Sequence, residues 1–275
     1  MSIWNGPFFK RVYELSKSDP ATTRSNNTGP TAKSIETLTL ADFNARFDDI
    51  ARHALPVVVK NYFPILDIEI IKERLITQLS GKDFVMRTGD YSAPENYIDK
   101  RETIQTSIAY FINNELFSSN KNYLGNNEID ITAINCLSNY PAVRPLDLFL
   151  PPALWLGPVG AITPMHKDSS DNFAHILYGK KQWLLVPVTE AKKMRYQRAS
   201  RYEHSEFTIS PIDFRERDNF LKLAITYFDV VTEAGDLLYL PMGWGHIVSS
   251  ITPCIMVNYW LDPTKAPPGI LSRIE

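Results

Sequence analysis

From about residue 130 onward the chain breaks into short apolar runs of strand length: "ITAINCL", "LWLGPVGAIT", "NFAHILY", "KQWLLVPV", "FDVVT", "DLLYLP", "HIVSS" and "CIMVNYW". Gly, Pro and Asp separate them, and patterns of helical length and period between them are mostly missing. Parallel strands need long, usually helical crossovers, so this spacing disfavours a βαβ arrangement and predicts a sandwich or barrel, best matched by a jelly-roll of about eight strands. Upstream the pattern is mixed. Leu40, Phe43, Phe47 and Ile50 recur at helical spacing after Thr39, with Asp42 placed for a capping box. A strand follows in "PVVVK", a helix over 67–79, a strand in "DFVMRT" and a further helix over 104–117. The fold expected is mainly β with added helices: a jelly-roll core over 131–275, an α+β portion over 36–130 packed on it, and an N-terminal segment with polar linker over 1–35, with 36–275 as one compact unit.

With 44% hydrophobic residues in 275, the chain can bury a sizeable core. Its 29 Lys+Arg and 31 Asp+Glu leave a net charge of -2, so no global field draws nucleic acid or an anionic membrane. Cys136 and Cys254 stand alone, matching neither a disulfide framework nor a CxxC zinc pattern, which fits a reducing compartment. The opening "MSIWNGPFFKRVYEL" lacks a continuous apolar signal core, and no apolar run reaches membrane-spanning length. A soluble cytoplasmic protein is expected. The polar stretch 16–34 reads as a linker, and Ile3, Trp4, Phe8, Phe9, Val12 and Leu15 before it as an apolar segment docked on the main body.

Within the strand-like region, "ITPMHKDSSDNF" sets His166 and Asp168 two apart. Residues at that spacing on a strand point to one face, so an imidazole and a carboxylate can reach one point inside a barrel. Alone, such a pair is equally an exposed pair or a satisfied core histidine. A third donor lies in "GDLLYLPMGWGHIVSS", where a glycine-containing loop breaks a strand and His246 opens the next. The separation lets intervening strands fold back and bring the histidines together. Two histidines and a carboxylate on one face of an octahedral ion leave open positions, the arrangement of non-haem Fe(II) oxygenases. His53 and His204 read as surface residues, and His175 as a packing or hydrogen-bonding residue. In "YGKKQWLLV" a two-residue Gly179-Lys180 hairpin turn is expected, after which Lys181, Trp183 and Leu185 share a face. An inward ammonium needs an anionic partner such as a dicarboxylate. On local residues alone, a solvated lysine beside a turn is the simpler reading.

Together, "TPMHKD", "NFAHILYGKKQWLLVP", "GDLLYLPMGWGHIV" and "VNYW" resemble the JmjC, or cupin-like, family of Fe(II)/2-oxoglutarate-dependent oxygenases, and most closely its protein hydroxylase branch of asparaginyl type. The likeness runs from about Pro56 to Trp260 and implies a double-stranded β-helix (cupin) core. It also implies that His166, Asp168 and His246 hold Fe(II), with O2 and 2-oxoglutarate as co-substrates. Lys181 falls at the lysine that pairs with the distal carboxylate of 2-oxoglutarate, Thr163 and Tyr123 at hydroxyls sharing that carboxylate, and Asn172 and Asn258 at polar positions of the same pocket. Thr163 lies three residues before His166, which strict alternation puts on the opposite face, so a bulge or bend is expected at Pro164. Trp260 matches an aromatic that closes the pocket.

The reaction implied is hydroxylation of a side chain in a peptide or protein, with succinate and CO2 as products. A free amino acid or small natural product is the alternative substrate, and a metal-binding cupin without 2-oxoglutarate chemistry the alternative class. Few residues follow Trp260, so the helical dimerisation extension of some members has no counterpart and a monomer or weak homodimer is expected. Lys192, Lys193, Arg195, Arg198 and Arg201 form a basic loop, read as solvated before it is read as a site for acidic peptide.

Overall fold

A computed structural model of the chain describes residues 31–88, 102–191, 193, 196–198, 205–207 and 223–265. In chain order the first elements are β1 (Thr31–Lys33), β2 (Glu36–Leu38), α1 (Leu40–Arg52), β3 (Val57–Val59), α2 (Ile68–Gln78), β4 (Asp83–Arg87) and β5 (Thr103–Ser107). A short helix α3 (Ile108–Tyr110) continues as a π-turn over Phe111–Glu115, followed by β6 (Tyr123–Glu128), β7 (Ala153–Gly157), β8 (Ile162–Lys167), β9 (Asn172–Tyr178) and β10 (Lys180–Val186). After α4 (Val188–Ala191) come β11 (Tyr196–Arg198), β12 (Ser205–Phe207), β13 (Thr226–Glu233), β14 (Leu237–Leu240), β15 (Gly245–Ser250) and β16 (Cys254–Trp260).

The strands form two sheets. One has the order β1-β13-β10-β15-β8-β12-β11 and the other β2-β3-β14-β9-β16-β7-β6-β4-β5. At their centres the quartets β13-β10-β15-β8 and β14-β9-β16-β7 make the double-stranded β-helix, and the remaining strands extend its sheets. Period-two alternation divides the side chains. Along β9, Ala174 and Ile176 enter a cluster with Trp183, Leu185 and Val248 from the other sheet, whereas Phe173 and Leu177 join Phe43 and Phe47 of α1 and Leu75 of α2 on the opposite face. Each fully buried aliphatic or aromatic side chain there contributes about 1.5–3 kcal/mol. α1 starts where Thr39 Oγ1 accepts from the Asp42 N–H at 3.1 Å and donates to Asp42 Oδ2 at 2.7 Å, a cap worth about 1 kcal/mol.

Four expectations need correction. The run 131–137 is not a strand but a single 3-10 turn, Ile131–Ala133, followed by further turns. The stretch 104–117 is not one helix: Thr103–Ser107 pairs antiparallel with β4, and Ser107 then caps α3 by accepting from the Tyr110 N–H. Its β-branched Thr-Ile and the open edge of β4 outweigh the helical spacing of its apolar residues. The expected linker reaches less far, because Thr31–Lys33 pairs in parallel with β13. Gly179-Lys180 is not a hairpin turn either, since β9 and β10 lie in different sheets. Gly179 carries the chain across with φ +81°, and a Cβ there would sit 2.0 Å from the Pro253 carbonyl oxygen, so only glycine passes this corner. The N-terminal apolar segment, His204 and most of the basic loop lie outside the described residues. Among the described residues no helix is long and apolar enough to cross a membrane.

Candidate metal centre

β8 and β15 run antiparallel with His166 directly opposite His246, and the imidazole centroids are 4.0 Å apart. The next matched pair is Thr163 with Val248, so Pro164 and Met165 together face Ile247. This extra residue is a bulge in β8, and it returns Thr163 to the inner face that Val248 occupies.

Each imidazole is held by the backbone. His166 Nδ1 donates to the Pro164 carbonyl at 2.7 Å, and His246 Nδ1 to that of Trp244 at 3.1 Å. A carbonyl only accepts, so both rings carry their proton on Nδ1 and turn the Nε2 lone pair toward Asp168. The Nε2 atoms lie 3.6 Å from Asp168 Oδ1 and 3.8 Å from Oδ2 respectively. One donor atom from each of His166, Asp168 and His246 lies within 4.8 Å of the others, the one such cluster among the described residues. That spacing suits a single ion at ordinary nitrogen and oxygen bond lengths.

The carboxylate is oriented in turn from the second sheet. Asp168 Oδ2 accepts from Asn172 Nδ2 at 3.1 Å and from Trp260 Nε1 at 3.2 Å. Asn258 Nδ2 donates to Asn172 Oδ1 at 2.6 Å, which leaves Asn258 Oδ1 buried without a partner. Burial works to raise the Asp168 carboxyl, but His246 and His166, then the bonds from Trp260 and Asn172, outweigh it and hold the group below the usual carboxylate range. The loop before His246 is pinned to the same segment: Asp171 accepts from the Met242 N–H at 2.7 Å and the Tyr239 hydroxyl at 2.8 Å, and the Gly243 N–H donates to the Asp168 carbonyl at 3.1 Å.

Further along the inner face, β10 and β15 match Leu185 with His246, Trp183 with Val248 and Lys181 with Ser250. Lys181 therefore points inward and is 1% exposed. Its Nζ donates to the Tyr123 hydroxyl at 3.2 Å, and no carboxylate pairs with it among the described residues. Burial works to lower the ammonium, but Tyr123 and Cys254 beside it bring the net shift upward. Burial pushes the Cys254 thiol up to about 11, so near neutral pH that neighbour brings no negative charge. The Ser250 hydroxyl and Trp155 indole nitrogen are buried with no acceptor. A buried cation with no carboxylate partner among the described residues, with the unpartnered Ser250 hydroxyl at the register position opposite it, fits a dicarboxylate bound beside the histidine pair.

The structure thus links Asp168, Asn172, Asn258 and Trp260 by hydrogen bonds, sets His166 and His246 beside that carboxylate, and joins Lys181 to Tyr123 on the inner face that Thr163 shares. His175 lies apart, on the helix-covered face. Ser138 Oγ accepts from the Tyr259 hydroxyl at 2.6 Å and shares a hydrogen bond of 2.6 Å with His175 Nδ1, and burial lowers the imidazole to about 3. His53 is exposed at the end of α1. Sequence reasoning missed Asp171, Trp155 and Ser250. Asp171 stands three residues after Asp168 in the quoted motif, but its role depends on the distant Tyr239 and Met242.

A family model described as a cupin-like domain matches residues 44–266. The lysine-specific demethylase JMJ30 of Arabidopsis thaliana is 31% identical over 107 residues, which cover 38% of this chain and 24% of that protein. The human bifunctional peptidase and (3S)-lysyl hydroxylase JMJD7 is 28% identical over 127 residues, covering 39% of this chain and 40% of that one. Human HSPB1-associated protein 1 is 31% identical over 128 residues, covering 44% and 25%. The chain thus matches under half the length of each of these relatives, and by name they do not single out the asparaginyl branch.

Proposed function

We propose, from the premise that this chain belongs to the cupin-like domain family, that it is an Fe(II)- and 2-oxoglutarate-dependent oxygenase hydroxylating an amino-acid side chain in a peptide or protein. The observation that carries the reading is the pairing of two features on one inner face. A His166-Asp168-His246 cluster has both Nε2 lone pairs turned toward the carboxylate, and a buried Lys181 ammonium has no carboxylate partner among the described residues. Relatives named as a lysyl hydroxylase and a lysine demethylase support a protein substrate.

Bound iron with 2-oxoglutarate supplies oxidation of a C–H bond by O2, with one oxygen atom passing to the product hydroxyl and the other to succinate as CO2 leaves. The chain's own residues do the holding and aiming. His166, Asp168 and His246 would hold the ion and leave it room to take the co-substrates. Lys181 charges the closed end of the pocket for the distal carboxylate. Tyr123 accepts from Lys181, so its own proton is available to the same carboxylate, and Thr163 adds a second hydroxyl on that face. Asn172 and Trp260 keep the Asp168 carboxylate from rotating, and Asn258 fixes the Asn172 amide.

The test is succinate production from 2-oxoglutarate by anaerobically purified protein given Fe(II) and then O2, beside His166→Ala. Turnover in the wild type that is lost in the variant supports the reading. No turnover, together with no metal-dependent 2-oxoglutarate binding by calorimetry, refutes it.

A further inference from the structure

We propose that Trp244 is a positioning residue for the metal centre: its side chain is anchored at the end of α1, and its backbone fixes the imidazole of His246. The inference rests on the metal-dependent reading above. The carbonyl that accepts from His246 Nδ1 at 3.1 Å belongs to Trp244. Trp244 stands between Gly243, at φ +83°, and Gly245, so glycines on both sides give this stretch little conformational preference of its own. Asp171 and Asp168 hold Met242 and Gly243, and ladder pairing resumes only at Gly245. Between those fixed points, the direction of the carbonyl rests on what holds the Trp244 side chain.

Two contacts hold it, and neither belongs to the segments that carry His166, Asp168 or His246. The indole lies 5.5 Å from the Phe228 ring of β13, centroid to centroid, and Nε1 donates to the Ala54 carbonyl at 3.1 Å. Trp244 is 7% exposed, so little water reaches the side chain.

Ala54 is itself unusual. Its N–H returns to the Ala51 carbonyl at 3.1 Å and that of Leu55 to the Ile50 carbonyl at 3.1 Å, a closure of α1 that normally places glycine where Ala54 stands at φ +50°. A residue with a side chain is strained there, and the last carbonyls of a helix have no partners within it. The indole N–H supplies one. A single bond therefore steadies the end of α1 and pins the residue whose own carbonyl sets the His246 tautomer. His166 is held differently, because its carbonyl partner is Pro164, whose ring already restrains the backbone. His246 relies on a remote anchor, and His166 on a local one.

Trp244→Phe keeps a ring against Phe228 and removes the N–H. The first reading is the tautomer of each histidine in metal-free, full-length protein, by nitrogen NMR of isotope-labelled histidine at about pH 8.5, above the ordinary histidine range. Signals are assigned with His166→Gln and His246→Gln, and the second reading is Co(II) affinity by chelator competition. Wild-type His166 and His246 should both carry the proton on Nδ1. In Trp244→Phe the His246 signal should move toward the Nε2-protonated form with that of His166 unmoved, and Co(II) affinity should fall about three- to tenfold. Ala54→Gly keeps the carbonyl and relieves the left-handed turn, so it should raise the metal-free melting point and leave both readings at wild-type values. A wild-type His246 protonated on Nε2 overturns the assignment without any variant. So does a His246 signal that holds still in Trp244→Phe, one that moves together with that of His166, or one that moves equally in Ala54→Gly. A tautomer shift in a protein that binds no Co(II) upholds the anchoring of His246 and sinks the metal reading. Co(II) bound by wild type and Trp244→Phe within about twofold of each other does the reverse.

Discussion

Replacing Lys181 with methionine separates the lysine's two opposed roles. In the empty protein the ammonium is buried at 1% exposure, its hydrogen-bond partner is a phenol, and no carboxylate among the described residues neutralises it. Methionine keeps the length and flexibility of the chain without the charge, and exchanging buried charge for apolar volume is neutral or stabilising by about 1–4 kcal/mol. For a chain of this size each kcal/mol moves Tm by roughly 2–4 °C, so metal-free Lys181→Met should melt no lower than wild type and up to about 16 °C higher. Bound 2-oxoglutarate reverses the balance. Truncating one partner of a buried charge pair costs about 2–5 kcal/mol, which at about 1.4 kcal/mol per decade is a roughly 30-fold to several-thousand-fold rise in Kd. Differential scanning fluorimetry of the metal-free protein and calorimetry of the Zn(II)-loaded protein with 2-oxoglutarate read the two quantities independently. A metal-free Tm lowered by more than about 5 °C would show that Lys181 supports the fold, and a Kd within about threefold of wild type would show that it does not meet the co-substrate.

Two further outcomes follow from the geometry. Trp260→Phe keeps the ring and removes the bond to Asp168 Oδ2, so metal affinity measured by chelator competition should fall about 10- to 100-fold with little change in the metal-free melting point; unchanged affinity would mean that Asn172 alone orients the carboxylate. His175, lowered to about 3 by burial, is neutral in the fold down to that pH, whereas the unfolded chain takes up its proton near pH 6.5. Its contribution to stability is therefore full above pH 6.5 and is lost as the pH falls toward 3, by about 2 kcal/mol at pH 5. Urea unfolding at pH 7.5 and 5 should show that loss in wild type and a smaller one in His175→Asn, and equal losses would refute the assignment.

The elements legible in the sequence were those decided by local period. The alternation that sets His166 and Asp168 two apart, the glycine loop ahead of His246, and the Thr39-Asp42 cap each depend on a few neighbouring residues. Gly179 shows the limit. A glycine between two strands turns the chain equally well into a hairpin or across to a facing sheet, and only Pro253, far away in sequence, excludes the first. The stretch 104–117 misleads for a related reason, since its helical spacing is real but β4 supplies a pairing edge that no local pattern contains. Trp155 was silent because its meaning lies in the registers of β6, β7 and β16. A tryptophan in an apolar run is core by default until those registers place it next to Trp260.

The hydrogen bonds around Asp168 also have a mechanical meaning. His166 and His246 belong to one sheet, whereas Asn172 and Trp260, which grip the carboxylate between the histidines, belong to the other. An ion bound there is in effect a rivet through both layers at one rim of the sandwich. Loading it would add a further tie between two sheets otherwise joined by apolar packing and by bonds such as that of Lys181 to Tyr123, so the rim would be stiffened by the same ion that the proposed oxidation uses.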